Sequence, residues 1–323
     1  MNTRLSKIYK FNIEIQIDFV FTFVDFNDKE YQENLFFYAK ETPNILKKKS
    51  IFINRYQDFG EIYYAINSVK TFLKFIRKIF IVTPTPKRIY EKYKDDEQVI
   101  IVEDREIIKE NYITTPNFKS TAIESFLYRI PDLAPFFFYG CDDMFVGRNM
   151  ERDFFFKKER PLIYLETKTK MVDNKNHYKS PPFLDVYNAN KYFQEKFGYF
   201  PKKWHNHQIC LIRKDVCRIT WQIFKLELKL NGENRFREPA DNGVHFILLQ
   251  HLVGLELKLY SRFKKNSIIC SGYYDYNRED GGERFRKISA LKPHFFCINA
   301  LDENIINDFK ELMTNFTGNH IPN

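Results

Sequence analysis

Residues 136–145 read Phe136-Phe137-Phe138-Tyr139-Gly140-Cys141-Asp142-Asp143-Met144-Phe145. The aromatic run has the length and composition of a buried strand, and it stops at two adjacent carboxylates. In an open α/β sheet, ligands bind outside the carboxyl ends of the strands, where loops carry polar groups. Two aspartates side by side repel each other unless a cation or protons relieve them. Hard oxygen ligands of this kind suit Mg²⁺, which takes one or two carboxylates together with substrate phosphates. Turns and helix caps also favour Asp, so the pair alone leaves both readings open.

The chain before this stretch alternates between two periods. Ile15–Val24 reads as a first strand ending at Asp25, followed by a helix from about Asp28 to Ala39. A helix is predicted over Glu61–Ile76, with Ile62, Ile66, Val69, Leu73 and Ile76 on one stripe. Lys78–Thr83 and Val99–Val102 read as strands, with a helix over Pro86–Lys94 between them. Lys119–Ile130 reads as a helix closed by Pro131, on which Ser120, Glu124 and Tyr128 share a face. Strands alternating with helices predict a largely parallel sheet with right-handed crossovers. Asp25, Asp142 and Asp143 then lie on one rim.

The second half is less regular. A strand over Leu162–Leu165 and a polar loop over Lys168–Pro182 are expected. Helices follow over Asp215–Leu230, stopped by Asn231-Gly232, and over Asp241–Leu252, capped by Asp241 and ended by Gly254. Arg278–Arg286 reads as a loop and Asn304–Met313 as a last helix. The expected fold is α/β, a mostly parallel central sheet flanked by helices, with a more helical C-terminal half. No repeat, linker or boundary divides the 323 residues. They are read as one domain: an α/β core over 15–150, a segment over 151–302 that completes its site, and a helix and tail over 303–323.

Composition narrows the partners. The formal net charge is +9, which favours anionic partners such as nucleotide phosphates or an anionic membrane surface. The basic residues are dispersed, without the arm or finger spacing of nucleic-acid binders, so no nucleic acid is expected. The five cysteines form no C-x-x-C pair, which argues against a disulfide framework or a zinc cluster and for a reducing compartment. Lys7, Lys10 and Glu14 interrupt the N-terminus, so no signal peptide is expected. No run of about 18 apolar residues predicts a membrane span.

Four further polar groups stand out: Arg55 with Asp58 and Glu61; Ser120 with Glu124; His205-Asn206-His207; and Arg235 and Arg237 flanking Phe236 ahead of Asp241. Arginine forks bind phosphate in a bidentate way, and helix N-termini attract anions. Each group also has a plain alternative: a surface charge cluster, a solvated helix position, a structural histidine, or ordinary surface arginines.

Taken in order, these segments resemble the Stealth family of sugar-1-phosphate transferases. The family's first region, roughly I-D-x-V-Y-T-W-V-D-G-x-D, is similar to Ile17-Asp18-Phe19-Val20-Phe21-Thr22-Phe23-Val24-Asp25-Phe26-Asn27-Asp28. Its second region is matched by Arg55, Asp58, Glu61, Tyr64 and Ser68, by Ile81-Val82-Thr83, by Phe118–Glu124, by Arg129–Leu133 and by Tyr139–Phe145. The third region's histidine and R-F-R-x-x-x-D resemble His207 and Arg235-Phe236-Arg237 with Asp241. The fourth resembles Lys292–Asn299. Departures fall inside the motifs: Phe26 stands for a glycine, Gln57, Tyr63 and Asn67 for arginines, Lys119 for Asn or Ser, and Cys141 for Asn. They bear on donor choice and on activity.

The resemblance implies a GT-A-like nucleotide-sugar fold. It implies transfer of sugar-1-phosphate from a nucleotide-sugar donor to a glycan acceptor hydroxyl, with a nucleoside monophosphate leaving. Asp142 and Asp143 would hold Mg²⁺ or Mn²⁺, Arg235 and Arg237 would clamp phosphate, and His207 would do acid/base work. Glu124 is a second base candidate or sugar contact, and Asp25, Arg55, Glu61, Ser120 and Asp241 would line the donor pocket. The family's bacterial branch implies capsule or surface-polysaccharide synthesis, with cytoplasmic residence at the inner membrane face. Two rivals are a metal-dependent glycosyltransferase on the same fold and a catalytically silent glycan-binding module.

Overall fold

The computed structural model describes residues 15–42, 58–108, 112–165, 171–204, 207–237, 243–263, 271–275, 281–299, 301 and 304–318. Arg55 and Asp241, like His205 and Cys270, lie outside these residues.

The first half is built from β1 (Ile17–Thr22), α1 (Lys29–Glu41), α2 (Glu61–Phe72), β2 (Ile79–Thr83), α3 (Pro86–Tyr93), β3 (Val99–Glu103), α4 (Asp104–Ile107), α5 (Ser120–Glu124) and β4 (Phe136–Cys141). Local chemistry sets several of these ends. The Asp28 carboxylate accepts from the Tyr31 amide at 3.0 Å and so caps α1. Pro86 opens α3, where its missing N–H costs nothing. Gly60 enters α2 in the left-handed region, φ 88°, a conformation that a side chain would oppose.

The second half supplies β5 (Met144–Val146), β6 (Phe156–Lys157), β7 (Arg160–Ile163), α6 (Pro181–Phe197), β8 (Cys210–Arg213), α7 (Lys214–Ile223), α8 (Lys225–Glu233), α9 (Phe246–Glu256), β9 (Ser261–Arg262), β10 (Ser271–Asp275), α10 (Gly281–Leu291), β11 (Phe295–Asn299) and α11 (Ile306–Thr317). The five-stranded central sheet has the order β3-β2-β1-β4-β8. Its first four strands are parallel and β8 is antiparallel to β4. In the β1–β4 register Thr22 lies beside Cys141, so both strands end at the same level. A second sheet, β10-β11-β5, begins where the first stops, because only the Asp142-Asp143 turn separates β4 from β5.

Strand alternation divides the core between the two faces of the sheet. Phe19, Phe21, Ile79, Ile81 and Phe138 pack with α2, β5, β11 and α11. Val20, Phe80, Val82, Phe137 and Tyr139 pack with residues of α5, α7 and α9.

Several expected boundaries are corrected. The helix expected over Lys119–Ile130 is α5 followed by a short 3₁₀ turn over Leu127–Arg129. The Ser125 hydroxyl bonds back to the Ala122 carbonyl at 2.7 Å there, competing with helix continuation. Residues 281–291 form α10, not a loop. Phe224 divides the helix expected from Asp215 into α7 and α8, and α8 runs through Asn231 and Gly232 to Glu233. The helix expected over Asp241–Leu252 starts at Phe246, where the His245 imidazole caps it, and it continues past Gly254 to Glu256.

Candidate active site

The loops at the carboxyl ends of β1 and β4 gather most of the acidic side chains singled out above. Asp25 follows β1. Its carboxylate forms a 2.8 Å ion pair with Nε of Arg88 on α3, and it accepts the Asn27 amide at 2.9 Å. The Arg88 guanidinium also pairs with Asp58. Asp58 in turn accepts the Gly60 amide at 2.7 Å, and Glu61 accepts the Phe59 amide at 2.6 Å. These bonds hold the loop before α2 so that its first residue, Glu61, is buried beneath the β4 turn.

The carboxylates in that turn are poorly neutralised. Burial, with the negative charges of Asp142 and Asp143 added, pushes Glu61 up to about 7. Burial and the neighbouring Asp143 push Asp142 up to about 7. Asp143 Oδ2 accepts a bond from the Cys297 thiol of β11 at 3.2 Å, whereas its buried Oδ1 has no hydrogen-bond partner among the described residues. A carboxylate that lacks partners inside a protein is costly, and it marks a place where a cation or ligand compensates.

Glu124 ends α5 on the other side of β4. One oxygen accepts from Tyr139 at 3.1 Å; the other is buried without a hydrogen-bond partner among the described residues. Burial pushes its acid up to about 7, against the opposing pull of the Arg237 guanidinium. Arg237 donates to the Ser120 hydroxyl at 2.5 Å, so Ser120 and Glu124, one turn apart, flank it. His207 sits in the bend before β8, about half exposed, with Nε2 4.0 Å from Asp143 Oδ2. Burial lowers the His245 imidazole to about 3, helped by the charges of Arg237 and His207, and it accepts the Leu248 amide. His207 thus stands beside Asp143, Arg237 stands beside Glu124 and Ser120, and both His207 and Arg237 are near enough to His245 to act on its charge.

Arg235 goes elsewhere. It donates to the Pro116 carbonyl at 2.6 Å and its guanidinium lies 3.9 Å from the centre of the Tyr38 ring. Between the two arginines, Phe236 stacks on Phe118 with centroids 5.0 Å apart. The sequence reading missed Arg88 and His245. Arg88 carried no local signal inside an amphipathic helix, and His245 had only its place ahead of an apolar run.

A cavity of about 630 Å³ opens at the other end of the sheet, lined by Tyr128, Phe136, Arg213, Lys214 and Arg218 among others. Phe136 begins β4 and Arg213 ends the antiparallel β8, so this cavity is remote from the acidic turn.

Comparison with known proteins shows the family. Residues 55–163 match the family pattern described as Stealth protein CR2, conserved region 2. The capsular polysaccharide phosphotransferase cps12A of Actinobacillus pleuropneumoniae is 33% identical over 94% of this chain and 82% of its own length. The capsular polysaccharide phosphotransferase fcs1 of Haemophilus influenzae is 30% identical over 89% of this chain and 79% of its own. The chain belongs to the Stealth family. It is a transferase of the phosphotransferase kind. The exopolysaccharide phosphotransferase CpsY of Mycobacterium leprae is 29% identical over 92% of this chain and 59% of its own length. Among solved structures, the apo bifunctional glycosyltransferase WbbM aligns with a TM-score of 0.43 at 13% identity, over 94% of this chain and 50% of that one. That likeness is too distant to speak to activity. The mixed α/β architecture with its parallel-rich central sheet is consistent with a GT-A-like fold.

The acidic turn fits the divalent cation that the family resemblance implies. Asp142 and Asp143 are adjacent oxygen donors with no arginine or lysine ion pair among the described residues, one buried Asp143 oxygen stands unbonded, and Glu61 is near enough to feel their charge. Among the described residues no helix is long and apolar enough to cross a membrane.

Proposed function

We propose that this Stealth protein transfers sugar-1-phosphate from a nucleotide-sugar to the hydroxyl of a glycan acceptor in capsule or surface-polysaccharide synthesis, with residues 1–323 acting as one catalytic unit. The acceptor oxygen bonds to the phosphorus that carries the sugar. The bond from that phosphorus to the nucleoside monophosphate oxygen breaks, and the monophosphate leaves. The reading is supported by the pairing of His207 with Asp143 beside Asp142, and of Arg237 with Glu124, in a chain whose relatives are named capsular phosphotransferases.

Phosphoryl transfer needs positioning and charge neutralisation more than covalent participation by the protein. Asp142 and Asp143, with Glu61 beneath, would hold Mg²⁺ or Mn²⁺, which supplies positive charge to the diphosphate when bound. Arg237, already anchored on Ser120, offers the donor phosphate its remaining N–H groups. His207 takes the acceptor hydroxyl's proton at its imidazole, half exposed beside Asp143. Glu124, balanced near 7, is the second base candidate and can hold a sugar hydroxyl. Asp25, through Arg88, fixes the loop ahead of α2, and Arg235 fixes the segment that carries Arg237. The net charge of +9 supports peripheral contact with an anionic membrane face.

The test is a panel of nucleotide-sugars incubated with the full chain, Mg²⁺ or Mn²⁺ and acceptor oligosaccharides, with the released nucleotide identified. Monophosphate release, dependent on the ion and lost in His207→Ala, is expected. Release of diphosphate would instead show glycosyl transfer. Glycan binding without consumption of any donor would show a silent binding module.

A further inference from the structure

Beside the carboxylates that suit a hard cation stands a second set of ligand atoms. The thiol of Cys141, a carboxylate oxygen of Asp143 and a ring nitrogen of His207 all lie within 4.8 Å of one another. Three different elements meet here: Cys141 ends β4, Asp143 follows in the turn, and His207 arrives from the bend before β8. Sulfur is a poor ligand for Mg²⁺, which takes oxygen, whereas Zn²⁺ takes Cys, His and Asp together. Three protein ligands with an open fourth position is a common zinc arrangement.

Zinc bond lengths set neighbouring ligand atoms about 3.3–3.6 Å apart in a tetrahedral site with one sulfur. The Asp143–His207 separation of 4.0 Å is close to that range, and the widest separation in the set, within 4.8 Å, must close by about 1 Å. His207, half exposed in a bend, is the part best placed to move.

We propose that Cys141, Asp143 and His207 form a thiolate-containing site for a soft divalent cation of the Zn²⁺ class, with a ligand set distinct from the Glu61–Asp142 side of the acidic turn. On binding, the Cys141 thiol releases its proton to solvent and the sulfur bonds the ion; nothing is oxidised or reduced. Asp143 belongs to both sets, and His207 is also the base of the proposed transfer. If the phosphotransfer reading above holds, Zn²⁺ therefore opposes Mg²⁺-supported turnover by occupying His207 and drawing on Asp143. The existence of the site does not rest on that reading.

The experiment titrates the full chain, stripped with chelator, with Co²⁺ as a spectroscopic stand-in for Zn²⁺. The expected result is a sulfur-to-cobalt charge-transfer band in the near ultraviolet that saturates at a single ion per chain and disappears on addition of Zn²⁺. The band is lost in Cys141→Ser and kept in Cys297→Ser and Asp142→Asn. Absence of the band in the wild-type protein, or its survival in Cys141→Ser, overturns the proposal. X-ray absorption at the cobalt edge of the wild-type protein needs no variant: a sulfur in the coordination shell supports the site, and an all-oxygen-and-nitrogen shell sinks it. Mg²⁺-dependent monophosphate release without any cobalt–sulfur signal would remove this inference alone. The signal without turnover on any donor would remove the phosphotransfer reading alone.

Discussion

The two ends of strands β1 and β4 treat aspartate in opposite ways. At the amino end, Asp18 is fully buried on β1 and fully answered. Arg77 grips both of its oxygens at 2.9 and 2.7 Å, and the Ala134 and Lys78 amides donate at 2.7 and 3.2 Å. At the carboxyl end, Asp142 and Asp143 face Glu61 with no arginine or lysine ion pair of their own among the described residues, and an oxygen of Asp143 is left unbonded. The same residue type, on the same pair of strands, does two jobs. A buried carboxylate surrounded by donors holds structure, and one left short of donors awaits a ligand.

Exchanging one oxygen for an amide at each end separates the two jobs. Asp143→Asn is expected to lower turnover by about 1000-fold, the scale of a lost contact to transition-state charge, while the melting temperature stays level or rises. Asp18→Asn is expected to do the reverse. It loses about 3 kcal/mol of stability by breaking a buried pair, yet keeps its turnover per folded molecule. Monophosphate release and thermal unfolding of both variants decide it. A destabilised Asp143→Asn with intact turnover would erase the contrast.

The arginine pair repeats the contrast at smaller scale. Arg237→Lys removes the fork that faces Glu124 and Ser120, and a fall of about 100-fold in turnover is expected. The readout is initial rate at saturating donor, with circular dichroism as the check on folding. A rate within threefold of wild type would place the phosphate clamp elsewhere.

Much of this division was legible in the sequence, and the reason is physical. The alternation of β1, β2, β3 and β4 with helices is a local signal, and carboxylates at strand ends follow from it. What stayed hidden depends on contacts between distant segments. The 17-residue α6 has no clean apolar stripe, because it buries polar side chains for loops far away. Asn188 donates to the Gly243 carbonyl at 2.8 Å, and Asn190 to that of Lys203 at 2.8 Å. Asn231 and Gly232 read as a helix stop, yet they sit inside α8 as packing devices. Asn231 bridges Thr121 and Val244, and a Cβ at Gly232 would come within 2.5 Å of the Tyr112 carbonyl oxygen. The site divides in the same manner: acidic pairs announce themselves, whereas Arg88 and His245 acquire their roles only when α3 and α9 are brought to them.

The uncompensated end also predicts a pH signature. Glu61 in the folded chain is raised from 4.5 to about 7, so between those values the folded form holds a proton that the unfolded form has released. Its contribution to stability therefore falls as pH rises through that window and stays low above it. Glu61→Gln is expected to stabilise the chelator-treated protein by on the order of 2 kcal/mol at pH 8 and by less than about 1 kcal/mol at pH 5. The buried His245 and His251, lowered to about 3 and about 4, act in the opposite direction below 6.5, but both proteins share them and the difference cancels them. Mg²⁺ or Mn²⁺ at pH 8 should shrink the gap, since the ion supplies the charge that Gln makes unnecessary. Melting curves at the two pH values, with chelator and with ion, measure it; an equal gap at both values would show that Glu61 is compensated after all.

The smallest effect is expected at Arg235, and it tests whether the two arginines of one motif are really divided between the two jobs. Its bond to the Pro116 carbonyl and its position over Tyr38 are contacts of a brace. Lysine at this position keeps the charge but loses the planar stack and the fork, at a cost of about 1 kcal/mol in stability. Turnover should fall less than tenfold, because Phe236 stays stacked on Phe118 and holds the segment that presents Arg237. A loss in Arg235→Lys as large as that in Arg237→Lys, with unfolding unchanged, would mean that both guanidinium groups reach the donor. The brace would then be a resting position that the donor's phosphates displace.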